Sequence, residues 1–395
     1  MHQVHMDEGL ALDADTLRQL RFNSPTGGWF PALQELHWRI TKHTLPYLDL
    51  FLSPQLKRVF ISASLSRRNS RAPQRIQQLI ASSMSALPAP AIQLLFVEAG
   101  SGTPWPHFTD SLSSVVLRCG PLLLHFNSPV PLSDAAVTHL IHLPHLRTLH
   151  VEGPPPHYPA SSLPLTFPPL TELTLGKGAA HGWLSLLKRL QGVVSVTRGA
   201  MPLSKLKDSL EFLYFLKLSG PTIDIFFTST IQIFGSLVHV SVNVDCHDGD
   251  GEGQCVFKLN DDDVADLAVA LPQLRCLFLG RACYENTCAT TVASLLAISV
   301  HCIKLQDLEI HFNTTNIVDD LEGIPDNPRF QHLRFLPRCT LSCLTVSQTP
   351  LTLDGPCLET VADGLFDIFP SLECCDGFER VWDELSGRIV DHWEV

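Results

Sequence analysis

Residues 245 to 255, DCHDGDGEGQC, bring Asp245, Cys246, His247, Asp248, Asp250, Glu252 and Cys255 into one short run. Carboxylates at alternate positions with a glycine suggest a calcium loop, and a register starting at Asp248 places Asp250, Glu252 and Gly253 suitably. The closing position of that loop is Leu259, where a bidentate glutamate is needed. Cys246, His247 and Cys255 offer zinc three ligands and would need a distant fourth. The run therefore reads as an acidic insert. Asn313-Thr314-Thr315 is a glycosylation sequon without a secretory context, and Asn313 is better used as a turn residue. Ser70 in RRNSR follows two arginines as some phosphosites do, but reads as a solvated loop. LGKGAAHG lacks the spacing of a phosphate-binding loop, and neither G-x-S-x-G nor H-E-x-x-H occurs. The 18 histidines are dispersed. No catalytic, cofactor-binding or metal-binding residue is assigned, no cofactor is expected, and the chain reads as a non-enzyme.

Bulk properties narrow the classes further. With 45% apolar and 17% charged residues over 395, the chain has the composition of an ordered protein with a large core. The opening MHQVHMDEGLALDADTL is polar and acidic, unlike a signal peptide. The longest uncharged stretch, Ile225 to Val244, carries too many polar side chains for a membrane span. Twelve scattered cysteines without a C-x-x-C pair read as reduced thiols, so a cytoplasmic or nuclear location is expected. Residues 1–240 hold 19 basic and 14 acidic side chains, whereas 241–395 hold 9 and 26. The net charge of −12 argues against nucleic acid as a partner.

The elements that position side chains emerge from a repeated phrase. LPHLRTLHVEG at 143–153 returns as LPQLRCLFLG at 271–280 and as FPALQELHW at 30–38. Its grammar is a proline, an apolar residue two places on, then apolar residues three and five places later. About three such matches are expected by chance; six occur, after Pro31, Pro54, Pro90, Pro144, Pro168 and Pro272. With looser copies, the first apolar positions are 33, 56, 92, 123, 146, 170, 213, 237, 274, 305, 341 and 372. The shorter intervals match leucine-rich repeats and the longer ones imply inserted loops.

Alternation makes each phrase a short strand with Leu149 and Val151 on one face and Thr148 and His150 on the other. Helices lie between strands. LSDAAVTHLIHL has Ser133 as N-cap, and NDDDVADLAVALPQL has Asn260 as N-cap followed by acids suited to the helix dipole. The expected fold is an α/β leucine-rich-repeat solenoid: an irregular horseshoe with a parallel β-sheet on the concave face and helices and loops outside. Residues 1–29 read as an N-terminal cap or tail, 30–378 as the repeats, and 379–395 as a C-terminal cap or tail.

The phrases FPALQELHW, LSDAAVTHLIHLPHLRTLHV and LPQLRCLFLG resemble the irregular leucine-rich repeats of fungal, basidiomycete-type F-box proteins, from about Phe30 to Phe378. The resemblance implies a substrate-receiving repeat region attached to an F-box that docks a ubiquitin-ligase adaptor. LDADTLRQLRF lacks the L-P-x-E opening of an F-box, so adaptor binding is expected only if an F-box lies upstream. The family's turn asparagine is replaced at Ser64, Pro154, Gly178 and Ala282 and present at Asn313, which implies irregular turns.

Residues between the core positions are expected to line the concave wall: His37, Arg58, Phe60, Phe96, His150, Thr174, His239, Phe278, Asp307 and Glu309, with Glu35, Thr148 and Lys217 beside them. Exposed Phe60, Phe96 and Phe278 would anchor a protein partner. A protein-interaction module of the F-box substrate-receptor kind is thus the leading expectation. A hydrolase or transferase on another α/β fold, or a purely structural repeat protein, is the alternative.

Overall fold

A computed structural model describes residues 3–6, 14–23, 29–40, 44–63, 82–99, 106–152, 169–176, 178–179, 209–219, 231–244, 259–281, 289–322, 338–346, 355–377 and 380–391. Ser64, Ser70, Pro154, Pro168, the acidic insert 245–255 and Ala282 lie outside the described residues. The chain forms two compact units, Met1–Gly176 with Arg189–Leu206, and Lys177–Lys188 with Lys207–Val395.

In the first unit, strands β1 (Gln3–Met6), β2 (Glu35–Ile40), β3 (Arg58–Ala63), β4 (Leu94–Ala99), β5 (His125–Ser128), β6 (Thr148–Val151) and β7 (Glu172–Leu175) lie side by side in chain order. Every pairing is parallel. The second unit repeats the plan with β8 (Gly178–Ala179) against β9 (Phe212–Ser219), then β10 (His239–Val244), β11 (Cys276–Arg281), β12 (Asp307–Glu309), β13 (Cys343–Val346) and β14 (Cys374–Gly377). Helices α1 (Ala14–Phe22), α2 (Pro106–Arg118) and α3 (Asp134–Ile141) belong to the first unit. Helices α4 (Asp261–Ala270), α5 (Val292–His301), α6 (Ile317–Glu322), α7 (Gly355–Ile368) and α8 (Arg380–Asp391) belong to the second. Parallel neighbours, several of them joined by helical crossovers, one strand per sequence phrase, make this an α/β leucine-rich-repeat solenoid.

The phrase has a clear physical basis. Its first apolar N–H donates to the carbonyl three residues back, as in Leu33 to Phe30 (3.0 Å), Leu56 to Ser53 (3.1 Å) and Leu274 to Leu271 (3.2 Å). The proline two places before that residue is therefore the second residue of a tight turn, where its fixed φ is already correct. Pro121 and Pro370 hold the same place before Leu123 and Leu372, whose N–H groups reach Gly120 and Phe369. Each turn hands the chain to its neighbour through one carbonyl that accepts two N–H groups. Gln34 accepts from Lys57 and Arg58 (2.9 and 3.0 Å), and Val238 accepts from Arg275 and Cys276 (2.7 and 3.1 Å).

The core is a lateral row of stacked side chains. Leu36, Val59, Leu95, Phe126, Leu149 and Leu173 align in the first unit, and Leu213, Val240, Leu277, Leu308, Leu344 and Cys375 in the second. All are at most 2% exposed. One copy corrects the sequence register: Leu213 occupies the place of Leu36, so the phrase begins at buried Leu210, three residues earlier than expected. FLYFLKL alternates long enough to fit both registers, and the pairing with β10, whose Val238 and His239 N–H groups reach the Glu211 carbonyl, decides.

Both expected N-caps form. Ser133 Oγ accepts from Ala136 N at 3.3 Å, and Asn260 closes a reciprocal capping box with Asp263 (2.9 and 3.1 Å). The three acids of that first turn diverge in role. Asp262 is exposed, whereas the Asp261 carboxylate crosses to α5 and accepts from the backbone N–H and hydroxyl of Thr291 (both 2.7 Å) and from the Ser294 hydroxyl. Asn313 is a turn residue, its Oδ1 accepting from Thr315 N at 2.9 Å. At the last strand, Trp382 of α8 lies so close over Gly377 that a Cβ there would meet the indole at 2.2 Å.

Candidate binding face

Strand alternation puts two further rows on the face opposite the leucines. In the first unit one row runs Glu35, Arg58, Leu94, His125, Thr148, Glu172 and the other His37, Phe60, Phe96, Asn127, His150, Thr174. In the second unit the rows run Phe212, His239, Cys276, Asp307, Cys343, Cys374 and Tyr214, Ser241, Phe278, Glu309, Thr345, Asp376. All ten residues assigned to the binding wall lie on these rows. The corrected register replaces Lys217 with Tyr214, and Lys217 falls three residues further on.

The rings are not free in water as the sequence suggested. Phe60, Phe96 and Phe278 are half-buried because strands under 5 Å apart stack their side chains laterally. His37 stacks on Phe60 with centroids 4.1 Å apart, and Phe60 meets Phe96 at 5.9 Å. In the second unit His239 sits among Phe212 (6.3 Å), Tyr214 (4.7 Å) and Phe278 (5.2 Å). Thr174 and Glu309 are buried at 5% and 7% exposure, so neither offers an open contact surface. Arg58 is exposed.

Polar groups pair along the rows. Glu35, itself buried, accepts from His37 Nε2 at 2.8 Å and from Arg58 Nε at 3.0 Å. His125 Nδ1 and Thr148 Oγ1 are 3.0 Å apart, and the Cys276 thiol donates to Asp307 at 3.4 Å. The Nε2 atoms of His150 and His239 are buried without a hydrogen-bond partner. Burial pushes both imidazoles below their ordinary range, partly offset at His239 by the Asp307 carboxylate. Each is a neutral packing ring at pH 7.

Thiols divide into two kinds. Burial raises Cys119 and Cys302 to about 12 and Cys339 to about 11, which makes them inert core groups. Cys343 and Cys374 instead lie on the half-buried face, in register on β13 and β14, with Asp376 two residues beyond Cys374. The thiols and the carboxylate lie within 4.8 Å of one another, the one convergence of three metal-type side chains among the described residues. Sequence reasoning passed over Phe212, Tyr214, Cys343, Cys374 and Asp376. Stacking the copies would have found the last three, since Cys343 and Cys374 hold the same position in successive phrases.

No helix among the described residues is long and apolar enough to cross a membrane. No family model and no curated protein matches the chain. Among solved structures it is similar to the TLR13–ssRNA13 complex, at 14% identity and a TM-score of 0.28, over 88% of this chain and 49% of that one. The chain thus spans about half the length of that structure, and the fold described above rests on the strand pairing.

Proposed function

We propose that this chain is a protein-binding repeat module that uses the strand face opposite its leucines. The observation that carries the reading is the aromatic packing on that face. Each unit presents a cluster of rings (His37, Phe60 and Phe96 in one; Phe212, Tyr214, His239 and Phe278 in the other) on strands held rigid from behind by the leucine row. Half-buried, pre-ordered rings lose little side-chain freedom on contact and supply the anchors that dominate interfaces. The resemblance of the phrases to F-box repeat regions gives the finer reading, in which the partner is a substrate delivered to a ubiquitin ligase.

Cross-linking in host-cell lysate followed by mass spectrometry compares the parent with Arg58→Glu and with the triple variant F60S/F96S/F278S. Loss of a captured protein in both variants, with circular dichroism showing both folded, supports the reading. An unchanged capture profile removes it. The ligase reading further requires the captured protein to accumulate when the gene is deleted, and a constant level argues against it.

A further inference from the structure

We propose that Cys343, Cys374 and Asp376 form a binding site for a soft divalent cation of the zinc class. Parallel pairing sets Cys343 directly beside Cys374, and the two-residue repeat of the strand returns Asp376 to the same face. Cys375, between them, points into the core at 0% exposure and holds the alternation in place. The three donors lie within 4.8 Å of one another. Tetrahedral coordination at ordinary zinc–sulfur lengths separates two donors by about 3.8 Å, so small rotamer changes suffice.

The donor set chooses the ion. Two thiolates and one carboxylate favour zinc and its soft relatives over magnesium or calcium, which take oxygen shells. Three protein ligands leave a fourth position, and exposed Asp376 places it toward solvent. Each thiol then gives its proton to solvent as its sulfur–metal bond forms, so uptake of one ion releases two protons. The site would fasten β14 to β13 on the face opposite the leucine row, whereas Trp382 and the Ser386 hydroxyl, which accepts from Cys375 N at 3.1 Å, secure β14 otherwise.

The test uses the full chain, reduced with a non-chelating phosphine and titrated with cobalt(II) as a spectroscopic stand-in for zinc. The expected result is one equivalent bound with thiolate-to-cobalt charge-transfer absorption and intense tetrahedral d–d bands. C343S/C374S should lose the signal, and C246S/C255S, which removes the thiols of the acidic insert, should keep it. Asp376 is exposed, so D376N leaves the fold intact and should weaken binding at least about tenfold, the scale on which even outer-shell partners act. Absence of the charge-transfer band in the parent overturns the proposal. So does its survival in C343S/C374S, or undiminished affinity in D376N.

Discussion

The imidazole of His37 lies flat on the ring of Phe60, with centroids 4.1 Å apart and planes inclined by 9°. Glu35 holds that imidazole from the side through Nε2 at 2.8 Å, and itself receives Arg58 Nε at 3.0 Å. The carboxylate of buried Glu35 is thus satisfied by one donor on its own strand and one on the next. Aromatic pairs of this kind contribute about 0.5–1.5 kcal/mol beyond their buried area. Phe60→Leu should therefore lower unfolding stability by about 1 kcal/mol in urea, with the far-ultraviolet spectrum unchanged. No loss would mean that the stack contributes nothing.

The acidic first turn of α4 yields a ranking. Asp261→Ala removes the acceptor for three groups at the start of α5 and should cost about 1–3 kcal/mol. Asn260→Ala breaks the capping box for about 1 kcal/mol. Asp262→Ala, on an exposed side chain one residue along, should stay within about 0.5 kcal/mol. Thermal melts of the three variants decide the order, and a cost at Asp262 equal to that at Asp261 would show that bulk charge matters more than geometry.

Stability should fall on mild acidification. His150, His239 and His311 all have folded values below the ordinary 6.5, with burial as the leading cause. The unfolded chain therefore binds more protons as pH drops through 6.5 toward the lowered values, and protonation favours unfolding. Stability is complete above that window and is lost going down through it. Urea midpoints at pH 7.5 and 5.5 measure the effect. His239→Phe, which keeps a ring between Tyr214 and Phe278, should flatten the slope, and an unchanged slope would take His239 out of the account.

Gly280 sits at φ 80° where the register between β10 and β11 slips by one residue. Such a bulge needs the left-handed conformation that a side chain resists. Its carbonyl accepts from buried His311 Nε2 at 3.0 Å, so the bulge also satisfies a polar group. Gly280→Ala should destabilise the chain by about 1–2 kcal/mol. Calorimetry showing a parent-like melting temperature would contradict this.

Much of the architecture is legible in the sequence because the lead-in turn restricts its residue types. Proline at the second turn position and an apolar residue two places on mark most strands. Pro121 and Pro370 obey the same rule, but LLLHF and LECCD put Phe126 and Cys375 where leucine usually stands, which blurs the pattern. The register near Leu213 misleads because eight residues of FLYFLKLS belong to one strand and alternation alone has two solutions. Exposure of Phe60, Phe96 and Phe278 is not legible, since it depends on which rings the neighbouring copies bring alongside. The thiol pair is a matter of stacking too: Cys343 and Cys374 are 31 residues apart in the chain and adjacent in the sheet. Local spacing rules look for ligands a few residues apart and miss such pairs.

The shared carbonyl at each handover has a consequence for how this chain tolerates change in length. Gln34, Lys57, Gln93, Leu124 and Arg147 each clasp two N–H groups of the following copy, and the alignment of the next strand is set there and nowhere earlier. Whatever lies between one strand's end and the next turn is therefore outside the measuring device. The pattern acts like sprocket teeth on a film: slack between teeth does not accumulate, because every tooth re-indexes the frame. Insertions and deletions in those intervals leave later frames aligned. Equal changes between a turn and its strand would shift one leucine out of the row and a polar neighbour into it.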